Sequence, residues 1–251
     1  MENCNPVATP LEPGRQFYKI SENDVPFDRN IYQQAIGCLT YVSVCTRPDI
    51  AVAVSVLSQF MSQPSEDHWS GVKRIFRYIK GTLNYGLKFA GSDLTLKGYS
   101  DADWAGDPDT RRSTSGYLFK IGDASVSWSS KRQATVAKSS TEAEYVSLSY
   151  ATQEAIWLRQ LMFSVGFNLS EPTVIYEDNV GAIELSYNAK FHNRTKHIDI
   201  AHHFVRERVE LKDIDVIHCP SSDMVADIMT KGVTKVQFEK LRDLLGVVDI
   251  L

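Results

Sequence analysis

The chain has 251 residues, of which 43% are hydrophobic, and its 27 Lys and Arg against 31 Asp and Glu give a formal net charge of −4. This length and composition predict a globular protein with one large or two small domains, and they argue against a disordered or fibrous chain. The negative net charge argues against a uniformly basic nucleic-acid-binding surface, because phosphate affinity comes mainly from Lys and Arg.

Targeting signals and paired-cysteine motifs are absent from the sequence. No apolar run approaches the roughly 20 residues that span a bilayer, and the N-terminus does not continue from a basic into an apolar stretch. We therefore expect an intracellular protein, in the cytoplasm or nucleus, without a membrane partner. The four cysteines include no Cys-x-x-Cys pair, so neither a zinc site nor a disulfide framework is expected.

The first third of the chain predicts an irregular leader followed by a mostly helical region. Residues 1–27 contain several prolines and little hydrophobic periodicity, which predicts a flexible leader. Residues 28–92 predict helices with a break at Arg47-Pro48, since the residue before proline disfavours helix, and an end at Gly81. The apolar residues at helical spacing are Ile50, Val54, Leu57, Met61, Val72, Ile75, Phe76 and Ile79.

Residues 93–232 predict an α/β domain, and residues 233–251 a C-terminal helical tail. Alternating apolar and polar residues predict a strand leading to Asp101, a hairpin of 117–121 with 126–128, and a third strand at 134–137. A long helix follows, with Ser140 or Thr141 as its N-cap. The later elements are a strand at 173–176, helices from 180 and at 197–211, a strand at 215–218 and a helix with Asp227. The predicted fold class is α/β, a mixed sheet with flanking helices.

Four acidic residues lie at the edges of predicted elements: Asp101, Glu144, Asp178 and Asp227. Carboxylates gathered from separate elements are the ligands that hard divalent cations need, and two such cations about 4 Å apart can clamp both oxygens of a phosphoryl displacement. Cleavage of a nucleic-acid backbone is therefore the leading interpretation. Asp103 and Glu177 are interpreted as neighbours of the site, since most acidic residues are solvated.

Helical phase distinguishes Glu144 from Glu142. Residues 144, 148, 151, 155, 158 and 162 form one stripe, which is apolar after Glu144. Glu142 lies about 200° away on the helical wheel. Glu144 is therefore the glutamate that is expected to face a site at the edge of the sheet.

Basic residues fall into three groups that could contact a nucleic acid. They are Lys73, Arg77 and Lys80 along one side of a helix, Arg111 and Arg112 beside the hairpin, and Lys131 and Arg132 after it. Contacts of this kind with phosphate oxygens position a nucleic acid. A solvated surface is the alternative interpretation of the first two groups. His197, His202 and His203 form no His-Glu-x-x-His motif and are expected on a helix surface.

A series of short motifs runs through residues 94–231. It comprises Tyr99-Ser-Asp-Ala-Asp-Trp-Ala-Gly-Asp107, Arg111-Arg-Ser-Thr-Ser-Gly-Tyr117, Ser139-Ser-Thr-Glu-Ala-Glu-Tyr145, Glu177-Asp-Asn179, Lys196-His-Ile-Asp-Ile200, His203-Phe-Val-Arg-Glu207 and Ala226-Asp-Ile-Met-Thr-Lys231. The series resembles the ribonuclease H domain at the end of copia-type retrotransposon Pol polyproteins. Earlier motifs are similar to the stretch that follows the polymerase palm there: Tyr32-Gln-Gln-Ala-Ile-Gly37, Thr46-Arg-Pro-Asp-Ile50 and Tyr78-Ile-Lys-Gly-Thr82.

The resemblance implies a ribonuclease H-like fold that hydrolyses the RNA strand of an RNA–DNA hybrid with two Mg²⁺ or Mn²⁺ ions. It assigns Asp101, Glu144, Asp178 and Asp227 as the catalytic and metal-binding residues. His218 is the nearest candidate for the accessory histidine that precedes the last aspartate in cellular ribonucleases H. The remainder of a reverse transcriptase is an expected partner, since the sequence lacks the palm motif of an aromatic residue with paired aspartates.

Two alternatives stay open. An integrase or resolvase shares the broad fold, although its last acidic residue is normally a glutamate, where this sequence has Asp227. A truncated or domesticated remnant of a retroelement would keep the fold and act as a binding or regulatory protein.

Overall fold

The computed structural model describes residues 1, 3–167, 169–188 and 199–251. The helices are α1 Arg29–Cys45, α2 Ala51–Ser58, α3 Glu66–Gly81, α4 Ser140–Ser164, α5 Val180–Tyr187, α6 Asp199–Glu210, α7 Asp227–Thr230 and α8 Lys235–Leu244. The strands are β1 Tyr85–Leu87, β2 Leu96–Ala102, β3 Thr114–Ile121, β4 Ala124–Arg132, β5 Thr173–Glu177, β6 Ile214–His218 and β7 Val247–Asp249.

Helices α1 to α3 form the predicted helical region. The Asp28 side chain caps α1 by accepting the N–H groups of Asn30 and Ile31. The predicted break at Arg47-Pro48 is confirmed, because α1 ends at Cys45 and a short 3-10 turn leads into α2. The predicted helix end at Gly81 is confirmed as well.

A buried ion pair joins this break to the end of α3. Arg47 donates from Nε and from one terminal nitrogen to the two Asp49 carboxylate oxygens, at 2.9 and 2.8 Å. The guanidinium also donates to the carbonyl and hydroxyl oxygens of Thr82, and the Tyr78 hydroxyl donates to Asp49. Each buried charge is therefore paired and hydrogen-bonded, as burial requires.

A mixed five-stranded sheet forms the centre of the molecule, with strand order β4-β3-β2-β5-β6. Strands β2, β3 and β4 are antiparallel, whereas β5 is parallel to both β2 and β6. The predicted hairpin is confirmed as β3 and β4, joined at Gly122 in the left-handed region with φ of 61°. This sheet and its flanking helices confirm the predicted α/β fold class.

The third predicted strand, at 134–137, is wrong. The antiparallel set is completed instead by β2, which pairs with β3 along its whole length from Leu96 to Ala102. After β4 the Gln133 side chain donates to the Ser115 hydroxyl and to the Ala143 carbonyl, both at 2.9 Å. These bonds tie the residue after β4 to β3 and to the start of α4, and residues 134–137 form no strand.

One core lies on each face of the sheet. Helices α4, α5 and α6 cover one face, with Phe119 and Ile175 of the sheet in their core. The other core joins α1 to α3 with α7, α8 and Leu118. The predicted apolar stripe of α4 is confirmed by the burial of Leu148, Ala151, Ala155, Leu158 and Met162. Because the helical region shares a core with the sheet, the division of the chain at residues 27, 92 and 232 stays a prediction.

The leader packs against α3, which differs from the flexible segment that the sequence predicted. Leu11 and Phe17 are buried in the same core as α1 to α3. Arg74 of α3 donates to Glu12, and Arg77 donates to the Asn5 carbonyl at 2.7 Å. The apolar side chains and these polar contacts together explain why a segment without a helix or strand is held in place.

The C-terminal tail contains a strand as well as the predicted helix. Strand β7 pairs antiparallel with β1, so Tyr85 lies opposite Asp249. Leu241 and Leu245 are buried in the core with α3. Within the described residues, no helix is both long and apolar enough to cross a membrane.

Replacing Phe17 with alanine is expected to lower the free energy of unfolding by about 3 kcal/mol, because truncation of a buried aromatic leaves a cavity. Phe17 is 4% exposed, whereas its neighbour Tyr18 is 56% exposed. Tyr18→Ala is therefore the matched control, with an expected change within about 0.5 kcal/mol. Urea denaturation measures both variants. Equal, small effects would show that the leader does not contribute to the folded core.

Candidate metal centre

Three of the four predicted carboxylates meet at one edge of the sheet. Asp101 lies near the end of β2, and Asp178 directly follows β5, which is parallel to β2. The carboxyl ends of neighbouring parallel strands share an edge, and such an edge is a common place for a site. Glu144 reaches it from the second turn of α4. One carboxylate oxygen each from Asp101, Glu144 and Asp178 lie within 4.8 Å of one another.

Helix α4 is fixed against the sheet beside this cluster. The Ser147 hydroxyl donates to the Asp101 carbonyl at 2.7 Å and to the Gly116 carbonyl at 3.2 Å. These bonds set the height of the first turns of α4 relative to β2 and β3. They explain how a glutamate on a helix is placed within reach of an aspartate on a strand.

Glu142 has a different role from Glu144. One Glu142 carboxylate oxygen accepts the Lys138 N–H at 2.9 Å, and its own N–H donates to the Ser139 hydroxyl. The helix cap is therefore Ser139, one residue before the predicted Ser140, because Ser139 has the extended backbone of an N-cap. Glu142 stabilises the start of the helix and does not belong to the cluster of Asp101, Glu144 and Asp178.

Asp227 approaches from the other layer of the fold, at the start of α7. It is 4% exposed, and Gln237 donates to its Oδ2 at 3.2 Å. Two residues link Asp227 to Asp101. The Thr230 hydroxyl donates to Asp101 Oδ2, and the Lys231 ammonium lies 2.7 Å from Asp227 Oδ1 and 4.0 Å from Asp101 Oδ2.

Burial and mutual repulsion raise the pKa values of these carboxyl groups. Burial raises the pKa of Asp101 to about 7, and Lys231 and Thr230 oppose the rise, while Asp227 and Asp178 add to it. Burial also raises the pKa of Glu144 to about 11, with the Glu177 carboxylate as the next cause. Both shifts follow from negative charge that lies close together and away from water.

The oxygen atoms of the cluster fit a divalent cation. One oxygen of Glu144 is buried without a hydrogen-bond partner among the described residues. An unpaired buried carboxylate oxygen is costly, and a hard cation such as Mg²⁺ or Mn²⁺ would pair with it. The donor set contains carboxylates without sulfur, which suits these metals better than softer ones. The residues present therefore fit the predicted cofactor.

Two charged residues beside the candidate site were not assigned by the sequence interpretation. Glu177, interpreted as a neighbour, is fully buried, and burial raises its pKa well above the usual range for a glutamate. It shares a face of β5 with Thr173 and Ile175, so period-two alternation could have identified it as inward-facing. Lys231 lies within a recognised motif, but sequence spacing does not show that its ammonium reaches Asp101.

The predicted accessory histidine is not one of the three clustered residues and lies on the strand next to β5. His218 is exposed and ends β6, opposite Glu177 of β5. Its accessory role stays a prediction. His203 lies on α6 and is exposed, as expected, whereas His197 and the His202 side chain lie outside the described residues.

The predicted basic groups differ in their surroundings. Arg77 and Lys80 donate to the Asn5 and Cys4 carbonyls of the leader, so the leader covers this side of α3, with Lys73 half-buried there. Arg132 pairs with Asp107 and also donates to the Gln59 side chain. Among the predicted basic residues, which all lie in the described part of the chain, Arg111, Arg112, Lys131 and the half-buried Lys73 have no side-chain hydrogen bond or ion pair.

Comparisons with known proteins identify the family. The chain is 43% identical to the retrovirus-related Pol polyprotein from transposon TNT 1-94 of Nicotiana tabacum, over 98% of this chain and 19% of that protein. It is 42% identical to the corresponding polyprotein from transposon RE2 of Arabidopsis thaliana, over 100% of this chain and 17% of that protein. This chain belongs to the Pol polyproteins of copia-type retrotransposons. The predicted resemblance is confirmed.

This Pol segment spans about a fifth of the length of these two relatives. It is also 59% identical to the Secreted RxLR effector protein 161 of Plasmopara viticola, over 51% of this chain and 90% of that protein. No protein-family model matches the chain. Among solved structures it is similar to LC11-RNase H1 isolated from compost, at 15% identity over 59% of this chain and 97% of that chain, with a TM-score of 0.41. That score supports no statement about function.

The raised pKa of Asp101 predicts that the metal-free Pol segment loses stability as pH rises. The pKa of Asp101 is about 7 in the folded state, whereas its ordinary value is 3.8. The folded state therefore binds this proton more tightly than the unfolded state does. This contribution to stability is complete below about pH 4 and is lost as pH rises through about 7. When a chelator keeps the protein free of metal, its melting temperature should decrease as the pH is raised from 5 to 8.

Asp101→Asn should make this fall shallower, because the amide does not titrate. The exposed Asp249→Asn is the control and should follow the wild type. An unchanged pH dependence in Asp101→Asn would contradict the assignment of Asp101 as a buried, repelled carboxylate.

Proposed function

We propose that this Pol segment is a ribonuclease H-type endonuclease that hydrolyses the RNA strand of RNA–DNA hybrids with two Mg²⁺ or Mn²⁺ ions. The observation that carries the proposal is the convergence of Asp101, Glu144 and Asp178, with oxygens within 4.8 Å, on a sheet edge where a buried Glu144 oxygen lacks a partner. Asp227 reaches the same edge through Thr230 and Lys231.

The chain's own residues hold and orient the reacting groups. Asp101 is central, since it clusters with the Glu144 and Asp178 carboxylates and is also linked to Asp227 through Lys231. Divalent cations bound here would lower the pKa of an attacking water and stabilise the leaving 3′ oxygen. The carboxylates fix the positions of these charges, and α4 is anchored to β2 by Ser147, which limits their movement. No protein nucleophile is required.

Selection of RNA over DNA requires contact with a 2′-hydroxyl group. The loop before β3 offers Arg111 and Arg112, whose side chains have no partner within the described residues. The Ser113 and Thr114 side chains that follow are buried, and the Ser113 hydroxyl accepts the Ala105 N–H, so the two arginines are the candidates in this loop. Lys131 lies in register opposite Ser115, at the far end of the neighbouring strand. We assign Arg111, Arg112 and Lys131 to the hybrid. The weaker candidates are Arg77, Lys80 and Arg132, which other contacts already engage, and Lys73, which is half-buried.

A second candidate function is a binding or regulatory role without catalysis. One comparison favours it, since the Secreted RxLR effector protein 161 of Plasmopara viticola matches this chain at 59% identity over 90% of its own length. About half of this chain is therefore similar to nearly all of a protein that is named as a secreted effector and not as a polyprotein. The same cleavage assay separates the two candidates.

The purified chain should cleave a labelled RNA–DNA hybrid when Mg²⁺ or Mn²⁺ is present, and leave duplex DNA and single-stranded RNA intact. Asp101→Asn, Asp178→Asn and Glu144→Gln should each lower the rate by at least about 100-fold, because each removes a charge that stabilises the transition state. Glu142→Gln is the matched control and should stay near wild type. A wild-type chain that binds hybrid without cleaving it would favour the second candidate.

The affinity for hybrid should decrease steeply as the salt concentration rises, because the basic residues at the hairpin contact phosphates. Replacing Arg111, Arg112 and Lys131 with Gln should flatten the plot of log affinity against log salt by about two to three units, as expected for the loss of three phosphate contacts. The same change at Lys73, Arg77 and Lys80 should alter the slope less and lower the melting temperature, since the leader loses hydrogen bonds. The opposite ranking of slopes would assign the hybrid to α3.

A further inference from the structure

Lys231 lies between two of the carboxylates assigned to the metal centre. Its Nζ is 2.7 Å from Asp227 Oδ1 and 4.0 Å from Asp101 Oδ2. Asp178 is also close enough to act on its charge. A single ammonium group therefore lies beside two of the four acidic residues, and the charge of a third also acts on it.

This position is distinct from the one formed by Asp101, Glu144 and Asp178. Those three residues supply oxygens within 4.8 Å of one another, a set that does not include Asp227 among the described residues. Asp101 and Asp227 are left as the pair that would hold a second cation, and Lys231 lies at that pair. Because like charges at such short range repel, the ammonium and a divalent cation would not share the position.

The Lys231 side chain can leave this position without movement of the backbone. The side chain is 47% exposed, and its charge sits on a flexible four-carbon stem. The backbone is held separately, since the Lys231 N–H donates to the Asp227 carbonyl at 3.2 Å. The next residue, Gly232, packs so closely on the leader that a Cβ there would lie 2.6 Å from the Glu12 carbonyl oxygen.

We propose that the Lys231 ammonium occupies the second cation position in the metal-free protein and is displaced from it when the second divalent cation binds. This inference rests on the proposed two-cation function. Lys231 is then a positioning residue. Its positive charge reduces the repulsion between the Asp101 and Asp227 carboxylates until the second cation binds. It also makes the second cation bind more weakly than the first, since the cation must compete with the lysine.

Titration of the full chain with Mn²⁺ alone, followed by electron paramagnetic resonance of the free ion, tests the proposal without any nucleic acid. The wild type should bind one Mn²⁺ tightly and a second more weakly. Lys231→Met removes the competing charge and should tighten the second binding step roughly tenfold, a difference of about 1.4 kcal/mol, while the first step stays close to wild type.

Lys97→Met is the matched control. Lys97 also pairs with an aspartate four residues away, Asp93, at 2.9 Å, and its side chain is 41% exposed. It lies at the opposite end of β2 from Asp101, so both Mn²⁺ binding steps should match the wild type. A gain in the second step for Lys97→Met as well would show an effect of net charge and overturn the proposal.

Lys231→Arg tests the same idea with the opposite sign and covers the case in which Lys231→Met does not fold. A guanidinium can bind Asp227 with two hydrogen bonds, so the second Mn²⁺ should bind more weakly than in the wild type. An unchanged second step in Lys231→Met, or a single Mn²⁺ site in both it and the wild type, would overturn the inference. Failure of the wild type to cleave hybrid would instead contradict the proposed function, because the Mn²⁺ titration does not depend on cleavage.

Discussion

The repulsion among carboxylates at the carboxyl ends of β2 and β5 is the constraint on which the rest of the structure depends. Asp101, Glu144 and Glu177 are each at most 7% exposed, so water screens their charges poorly. A fold that holds such groups together must be stabilised elsewhere. The sheet supplies rigidity, Ser147 ties α4 to β2, and Lys231 contributes positive charge.

The proposed site draws on both layers of the molecule. The cores on the two faces of the sheet supply its two halves, since Glu144 comes with α4 and Asp227 with α7. Helix α7 packs in the same core as the helical region and the leader. Within the helical region, the buried Arg47–Asp49 pair fixes the turn between α1 and α2 to the end of α3. Integrity of this layer therefore governs how accurately Asp227 is placed relative to Asp101.

Some basic side chains stabilise the fold, whereas others are exposed. The basic side of α3 looks like a nucleic-acid surface in the sequence, yet Arg77 and Lys80 are used to hold the leader through its backbone carbonyls. Exposed basic side chains remain around the hairpin, as at Arg111 and Lys131. The chain matches about a fifth of the length of its polyprotein relatives.

The sequence by itself determined the fold class, the family, and the phase of α4 that separates Glu144 from Glu142, because helical and strand periodicities and short motifs are local properties. Tertiary structure decided the rest. That β2 and not residues 134–137 completes the antiparallel set depends on strand pairing, a long-range contact. The packing of the leader and the approach of Lys231 to Asp101 depend on residues distant in sequence, whose meeting no local pattern encodes.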